Sequence, residues 1–353
     1  MSGLRRGYYY FMHKKLLIFI IAGLVCAGVA AAYFLSAKSS EVPPDFFSET
    51  EQFYSFWEEK IQEHGTYKAY HQFKDAYSAN KIELKHALGH AFAELLYDAD
   101  GINAMEVCDD DYSYSCFHEL VASKVFEDGI EVLPDINTLC DEKVWCQHGI
   151  GHALIKLNGY DVSGLKEAID GCASIPRYDT LDGCVGGMFM EFYRDHINSE
   201  AEPSAELCPR VQEWARESCY FWLGQWFLTN VPDEEVYARF SWAAAQCSTI
   251  AELKYKLHCY KRLGYDTGNY STDPDIARSY CEKSIPEGDE YFEVQCKAGG
   301  AAQFYTYEHM RADAPKLCDG LSGDRLDYCM YAAQKLPYTH DRRIESYGEV
   351  TQQ

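Results

Sequence analysis

The chain has 353 residues, 47% of them hydrophobic and 15% aromatic, enough to bury a sizeable core and too apolar for a disordered polymer. A formal net charge of -23 excludes nucleic acid and anionic lipid as partners of the main domain, because so acidic a surface repels both. There is no His-Glu-x-x-His, no Gly-x-Ser-x-Gly and no phosphate-cradling glycine loop, so no named enzyme class is signalled.

Residues 1–15 form a basic tail containing Arg5, Arg6, Lys14 and Lys15, and residues 16–35 are an unbroken apolar run of about the length that spans a bilayer. Basic residues on its N-terminal side predict a signal-anchor with a cytoplasmic N-terminus and a single pass, which places everything after residue 36 outside the cytoplasm. Ala30 to Ala32 would suit signal-peptide cleavage, but the run exceeds the ~7 to 15 apolar residues usual there. Residues 36–45, with Pro43-Pro44, read as a linker. Residues 46–340 read as the exported domain and 341–353 as a polar tail.

Phe46, Phe47, Phe53, Phe56, Trp57 and Ile61 fall on one helical stripe that His64-Gly65 ends. Further helices are predicted over 66–77 and about 82–97. Beyond them the cysteines fall into close pairs: Cys108 with Cys116, Cys140 with Cys146, Cys172 with Cys184, Cys208 with Cys219, Cys247 with Cys259, Cys281 with Cys296, and Cys318 with Cys329. With Cys26 in the apolar run set aside, the rest are even in number and contain no Cys-x-x-Cys, which favours disulfides in an oxidising compartment over zinc ribbons or redox motifs.

The first cysteines recur at intervals in the thirties, the mark of stacked helical hairpins. Ala104, Ala168, Ala243, Ala277 and Ala314 each stand one helical turn before a first cysteine, where a small side chain lets helices approach. Gly151, Gly224 and Gly264 each stand five residues after a second cysteine, and Gly89 is their equivalent in a unit without cysteines. Each unit thus reads as helix, cysteine, short turn, cysteine, helix. No alternating pattern suggests strands. The predicted class is all-α, an α-solenoid-like array of helical hairpins stapled by disulfides.

The cysteine pairs, together with Leu88-Gly89, Ile150-Gly151, Leu223-Gly224 and Leu263-Gly264, resemble cysteine-rich Sel1-like helical repeat proteins, relatives of the tetratricopeptide repeats. The likeness covers roughly residues 80 to 335. It implies units of similar length, a disulfide from the end of one helix to the start of the next, and a binding or scaffold role. Aromatic clusters such as Tyr220-Phe221-Trp222, read first as packing, are the other candidate surface, for a protein, peptide or glycan partner.

Chemistry is signalled by histidine. His86 and His90, and again His148 and His152, are four residues apart, one helical turn, so each pair points from one face and can chelate a metal. His118, two residues after Cys116, occupies the position of the first histidine in the unit between them. The position is glycine and then phenylalanine in the next two units (Gly186, Phe221), which confines the feature to the first three. Glu94, Glu119 and Glu191 are the nearby candidates for acid, base or further ligand, and zinc or iron suits such a donor set.

Because packed helices usually sit ~8 to 10 Å apart, a straight row would keep the two histidine pairs from sharing one ion. Either the row curls enough to unite them, or His118 completes a three-histidine site with one pair. Two functions are expected: a metal-bearing binding or scaffold module, and alternatively a metal-dependent enzyme using the same histidines. The remaining histidines, the aromatic clusters such as Tyr220-Phe221-Trp222, the sequon Asn269-Tyr270-Ser271 and the acidic turn Asp109 to Asp111 read as structural or solvated.

Overall fold

The computed structural model describes residues 43–334 apart from 47, 79, 81, 110, 141–143, 176–180, 182, 199–205, 232–234, 286–288 and 308. The basic tail, the apolar run 16–35, most of the linker and the tail 341–353 lie outside the described residues. Among those described, no helix is long and apolar enough to cross a membrane. The chain divides into two compact units, residues 1–53 and 54–353. In the first, the rings of Phe46 and Phe53 meet edge to face at 5.0 Å.

Helices follow one another without a strand among the described residues. They are α1 (Thr50–His64), α2 (Thr66–Tyr77), α3 (Ile82–Asp100), α4 (Ser115–Asp128), α5 (Leu133–Cys140), α6 (Val144–Asn158) and α7 (Val162–Ala173). After these come α8 (Cys184–Asn198), α9 (Arg216–Thr229), α10 (Val236–Ser248), α11 (Leu253–Tyr270), α12 (Pro274–Ser284), α13 (Glu290–Thr306) and α14 (Asp324–Ala332). Local chemistry sets their ends. Gly101 at φ 60° closes α3. Asp161 caps α7 by accepting from the Gly164 amide at 2.8 Å, and Asp273 caps α12 just ahead of Pro274.

All seven cysteine pairs are disulfides, with Cα separations of 5.3 to 5.7 Å. The element carrying each first cysteine is not always the α-helix that the unit pattern predicts. Before Cys108, at Cys208 and before Cys318 it is a 3₁₀ segment: Gly101–Glu106, Cys208–Arg210 and Arg311–Cys318. Pro315 lies inside the last of these, where a missing N–H and a fixed φ work against a regular α-helix.

The helices that follow the second cysteines, α4, α6, α8, α9, α11 and α13, pack consecutively on one another, with α3 leading the row. What lets them approach is glycine at two positions. A Cβ at Gly151 would overlap the Cys184 carbonyl, and one at Gly264 the Cys296 carbonyl, so the glycine five residues after a second cysteine takes the next helix against its backbone. The glycine three residues after a second cysteine does the reverse: a Cβ at Gly149 would come 2.7 Å from His118 O, and one at Gly187 would overlap His148 O on the preceding helix. The alanines before the first cysteines are buried to 1% exposure or less, as expected for contact points between helices. One apolar core runs from Val121 to Cys296, and a second gathers Ala277, Val294, Phe304, Leu317 and the Cys318–Cys329 disulfide.

Candidate metal centre

All five histidines of the register meet. His86 and His90 come from α3, His118 from α4, and His148 and His152 from α6, three successive members of the glycine-packed row. His86 is half-buried and the other four are 2 to 8% exposed. Ring centroids lie 4.7 Å apart for His86 and His90, 4.9 Å for His148 and His152, and 4.6 Å for His118 and His148. The two pairs also touch directly, His90 to His152 at 5.5 Å. The separation expected of a straight row does not hold here, because Gly149 brings the α6 backbone onto the α4 backbone at His118.

Candidate ligand atoms fall into two groups, His86/His90/His118 and His118/His148/His152, each with its atoms within 4.8 Å of one another. The outward nitrogens are already engaged. His86 Nδ1 lies 3.1 Å from the Tyr112 carbonyl, His90 Nδ1 2.9 Å from Glu119 Oε2, and His152 Nδ1 2.9 Å from Glu191 Oε2. Each of these partners accepts, so each Nδ1 carries a ring proton, and in the neutral ring each Nε2 keeps its lone pair, the arrangement by which second-layer groups orient metal ligands.

Those lone pairs face inward. His86 Nε2 and His90 Nε2 are 3.1 Å apart, while His152 Nε2 and His118 Nδ1 are buried without any hydrogen-bond partner. His148 Nε2 lies 3.4 Å from Met190 Sδ on α8.

Burial, reinforced by the neighbouring histidines, holds His86, His118 and His152 well below the usual imidazole range, with the Tyr112 carbonyl opposing this at His86. They are therefore neutral near pH 7, the form that ligates a metal. At Glu119 burial would raise the carboxyl, but the hydrogen bond and charge of His90, with Lys156, outweigh it and hold the group low. Lys156 Nζ stands 3.6 Å from Glu119 Oε1. Glu191 Oε1 in turn accepts from Tyr160 Oη at 3.0 Å and from Arg194 Nη2 at 2.5 Å.

The three carboxylates singled out in the sequence thus divide. Glu119 and Glu191 are buried and hold histidines in place, whereas Glu94 is exposed and accepts from Tyr54 Oη at 2.7 Å. Partial desolvation by the side chains around it, with the charge of Glu119, raises the Glu94 carboxyl against the opposing hydrogen bond from Tyr54. Glu94 and Glu119 share the lining of a cavity of about 360 Å³ with Lys156.

Met190, Tyr112, Tyr160, Lys156 and Arg194 were not foreseen. Met190 had a signal, since it stands six residues after Cys184, where His152 stands after Cys146. Tyr112 acts through its backbone carbonyl, which no side-chain pattern reveals.

Other features of the sequence are absorbed by packing. Tyr220, Phe221, Trp222, Trp226 and Phe227 are buried, and the Trp222 ring covers His148 at 5.8 Å. Asp109 and Asp111 are held by Lys74. Asn269 of the sequon donates to Asp266 and accepts from Gln303. His71 lies against Tyr67, and His258 faces Glu217 at 3.8 Å. No protein-family model, curated protein or solved structure matches the chain, so a functional reading stands on the geometry of these five imidazoles.

Proposed function

We propose that this is a membrane-anchored, extracytoplasmic helical-repeat protein, Sel1-like in architecture, that holds a transition metal of the zinc or iron class on its first three histidine-bearing helices. One observation carries the metal: five imidazoles converge with His118 Nδ1 and His152 Nε2 buried without a hydrogen-bond partner, beside His86 Nε2 and His90 Nε2 at 3.1 Å. Two lone pairs at that distance repel unless a proton or a metal ion lies between them. With metal–nitrogen bonds of ~2.0 to 2.1 Å, neighbouring ligands of one ion stand about 3 to 3.4 Å apart, so the spacing suits a metal ion.

The disulfides support an oxidising compartment, and the basic tail before residues 16–35 supports an anchor with its N-terminus inside. An enzyme using the same centre has one specific observation in its favour: Glu119, which holds His90, also lines the 360 Å³ cavity, giving a buried histidine–carboxylate pair a route to small molecules. Elemental analysis of the full chain, purified oxidised and without a histidine tag, tests the metal. Stoichiometric zinc or iron is expected, and it is expected to be lost in His90→Ala. Metal-free protein that also fails to take up zinc or iron when reconstituted would overturn the proposal.

A further inference from the structure

The metal reading above leaves open how many ions the centre takes, and three features of the site bear on that number. The first is that the five imidazoles do not form one group: only His118 belongs to both sets of mutually close ligand atoms. An ion bonded at ~2.1 Å requires all its ligand atoms to lie within about 4.2 Å of one another. The candidate atoms of each triad lie within 4.8 Å of one another, near that limit.

The second is that the supporting layer is duplicated. His90 is held by Glu119 from α4 and His152 by Glu191 from α8, and each carboxylate has its own cation, Lys156 for Glu119 and Arg194 for Glu191. The two carboxylates do not occupy equivalent places in the repeat: Glu119 is three residues after its cysteine and Glu191 seven after its own. The third feature is that each triad holds nitrogen that a cation could use: the Nε2 atoms of His86 and His90, which have only each other, in one, and the orphaned His152 Nε2 in the other, with an orphaned Nδ1 on His118, the ring that belongs to both.

We propose that the centre binds two metal ions, one in each histidine triad, with His118 as the ligand they share. Each ring nitrogen has one in-plane lone pair, so His118 serves both ions only by giving one nitrogen to each. Binding the second ion therefore breaks its remaining N–H bond; the electron pair stays on nitrogen as the new metal ligand and the proton leaves to solvent. The product is an imidazolate bridge. This proposal rests on the centre being a metal site at all, and the experiment separates the two failures.

The full chain, oxidised and in detergent, is stripped of metal and titrated with cobalt(II), and separately with copper(II). Two cobalt ions per chain are expected, falling to one in the double variant His148→Ala/His152→Ala. With copper(II) in both sites, an imidazolate bridge couples the two spins, so the signal in electron paramagnetic resonance is expected to fall far below that of two isolated ions. His118→Ala is expected to restore the uncoupled signal. Should that variant misfold, as judged by free thiols and circular dichroism, the wild-type stoichiometry and coupling still decide. A single ion per chain would overturn the two-ion proposal and leave the metal reading intact; two uncoupled ions would overturn the bridge; no ion would overturn both readings.

Discussion

Gly187 and Gly264 hold the same kind of place in the row, each pressed against a neighbouring backbone where a Cβ would overlap a carbonyl oxygen, but they touch different things. Gly187 meets the main chain of His148, whereas Gly264 meets that of Cys296, outside the histidine cluster. Either one replaced by alanine forces two helices apart, a strain of about 1 to 3 kcal/mol. Gly187→Ala is expected to lower the melting temperature and to weaken metal binding together, and Gly264→Ala to lower the melting temperature alone. Thermal melts paired with metal titrations check this, and equal loss of metal in both would contradict it. The residue scale also shows what the sequence made legible. The five histidines were readable because helical spacing and distance from a cysteine both repeat. Their convergence was not, since it depends on Gly149 abolishing the usual gap between α4 and α6. Glu94 looked equivalent to Glu119 because it lies one turn from His90, yet its side chain leaves the cluster for Tyr54.

At the scale of the element, the pairing of neighbouring cysteines follows from sequence alone, since each pair brackets a turn between two amphipathic segments. Boundaries of α1 to α3 were also within reach, because Gly65 and the apolar stripes define them. Which first-cysteine elements are 3₁₀ was harder to read: at Cys318 it depends on the geometry of Pro315, and before Cys108 on the left-handed Gly101 that ends α3 three residues beyond the periodic stripe. Each staple acts locally. Cys172 and Cys184 close a loop between α7 and α8, and the chain-entropy estimate for a loop of this size is about 3 kcal/mol. The double variant Cys172→Ala/Cys184→Ala is expected to lose stability of that order in denaturant unfolding while keeping its helical circular dichroism. A loss of helix throughout would mean that the staple organises the fold and does more than restrict the unfolded chain.

For the whole molecule, acidity and tyrosine content were plain from composition, but the burial of so many phenols was not. Burial pushes the hydroxyls of Tyr70, Tyr112, Tyr193 and Tyr260 upward, joined at Tyr70 and Tyr112 by Asp109 and Asp111. A folded-state value raised above the unfolded one means that the native protein retains protons which the unfolded chain releases. The stability these groups contribute is complete below the ordinary tyrosine value of about 10 and falls as pH rises beyond it. Melting temperature is expected to be flat between pH 8 and 9.5 and to drop steeply by pH 11, in oxidised protein with no free thiol present. A melting temperature unchanged at pH 11 would contradict the burial of these rings.

The cross-links join partners only 6 to 15 positions apart along the chain. Every bond can therefore form as soon as its own turn has emerged during synthesis, before later segments exist to compete for the thiol. Assembly can proceed from one end to the other without long-range reshuffling by an isomerase. The histidine-bearing segments come first in that order, so the cluster can be in place while the distal repeats are still being made.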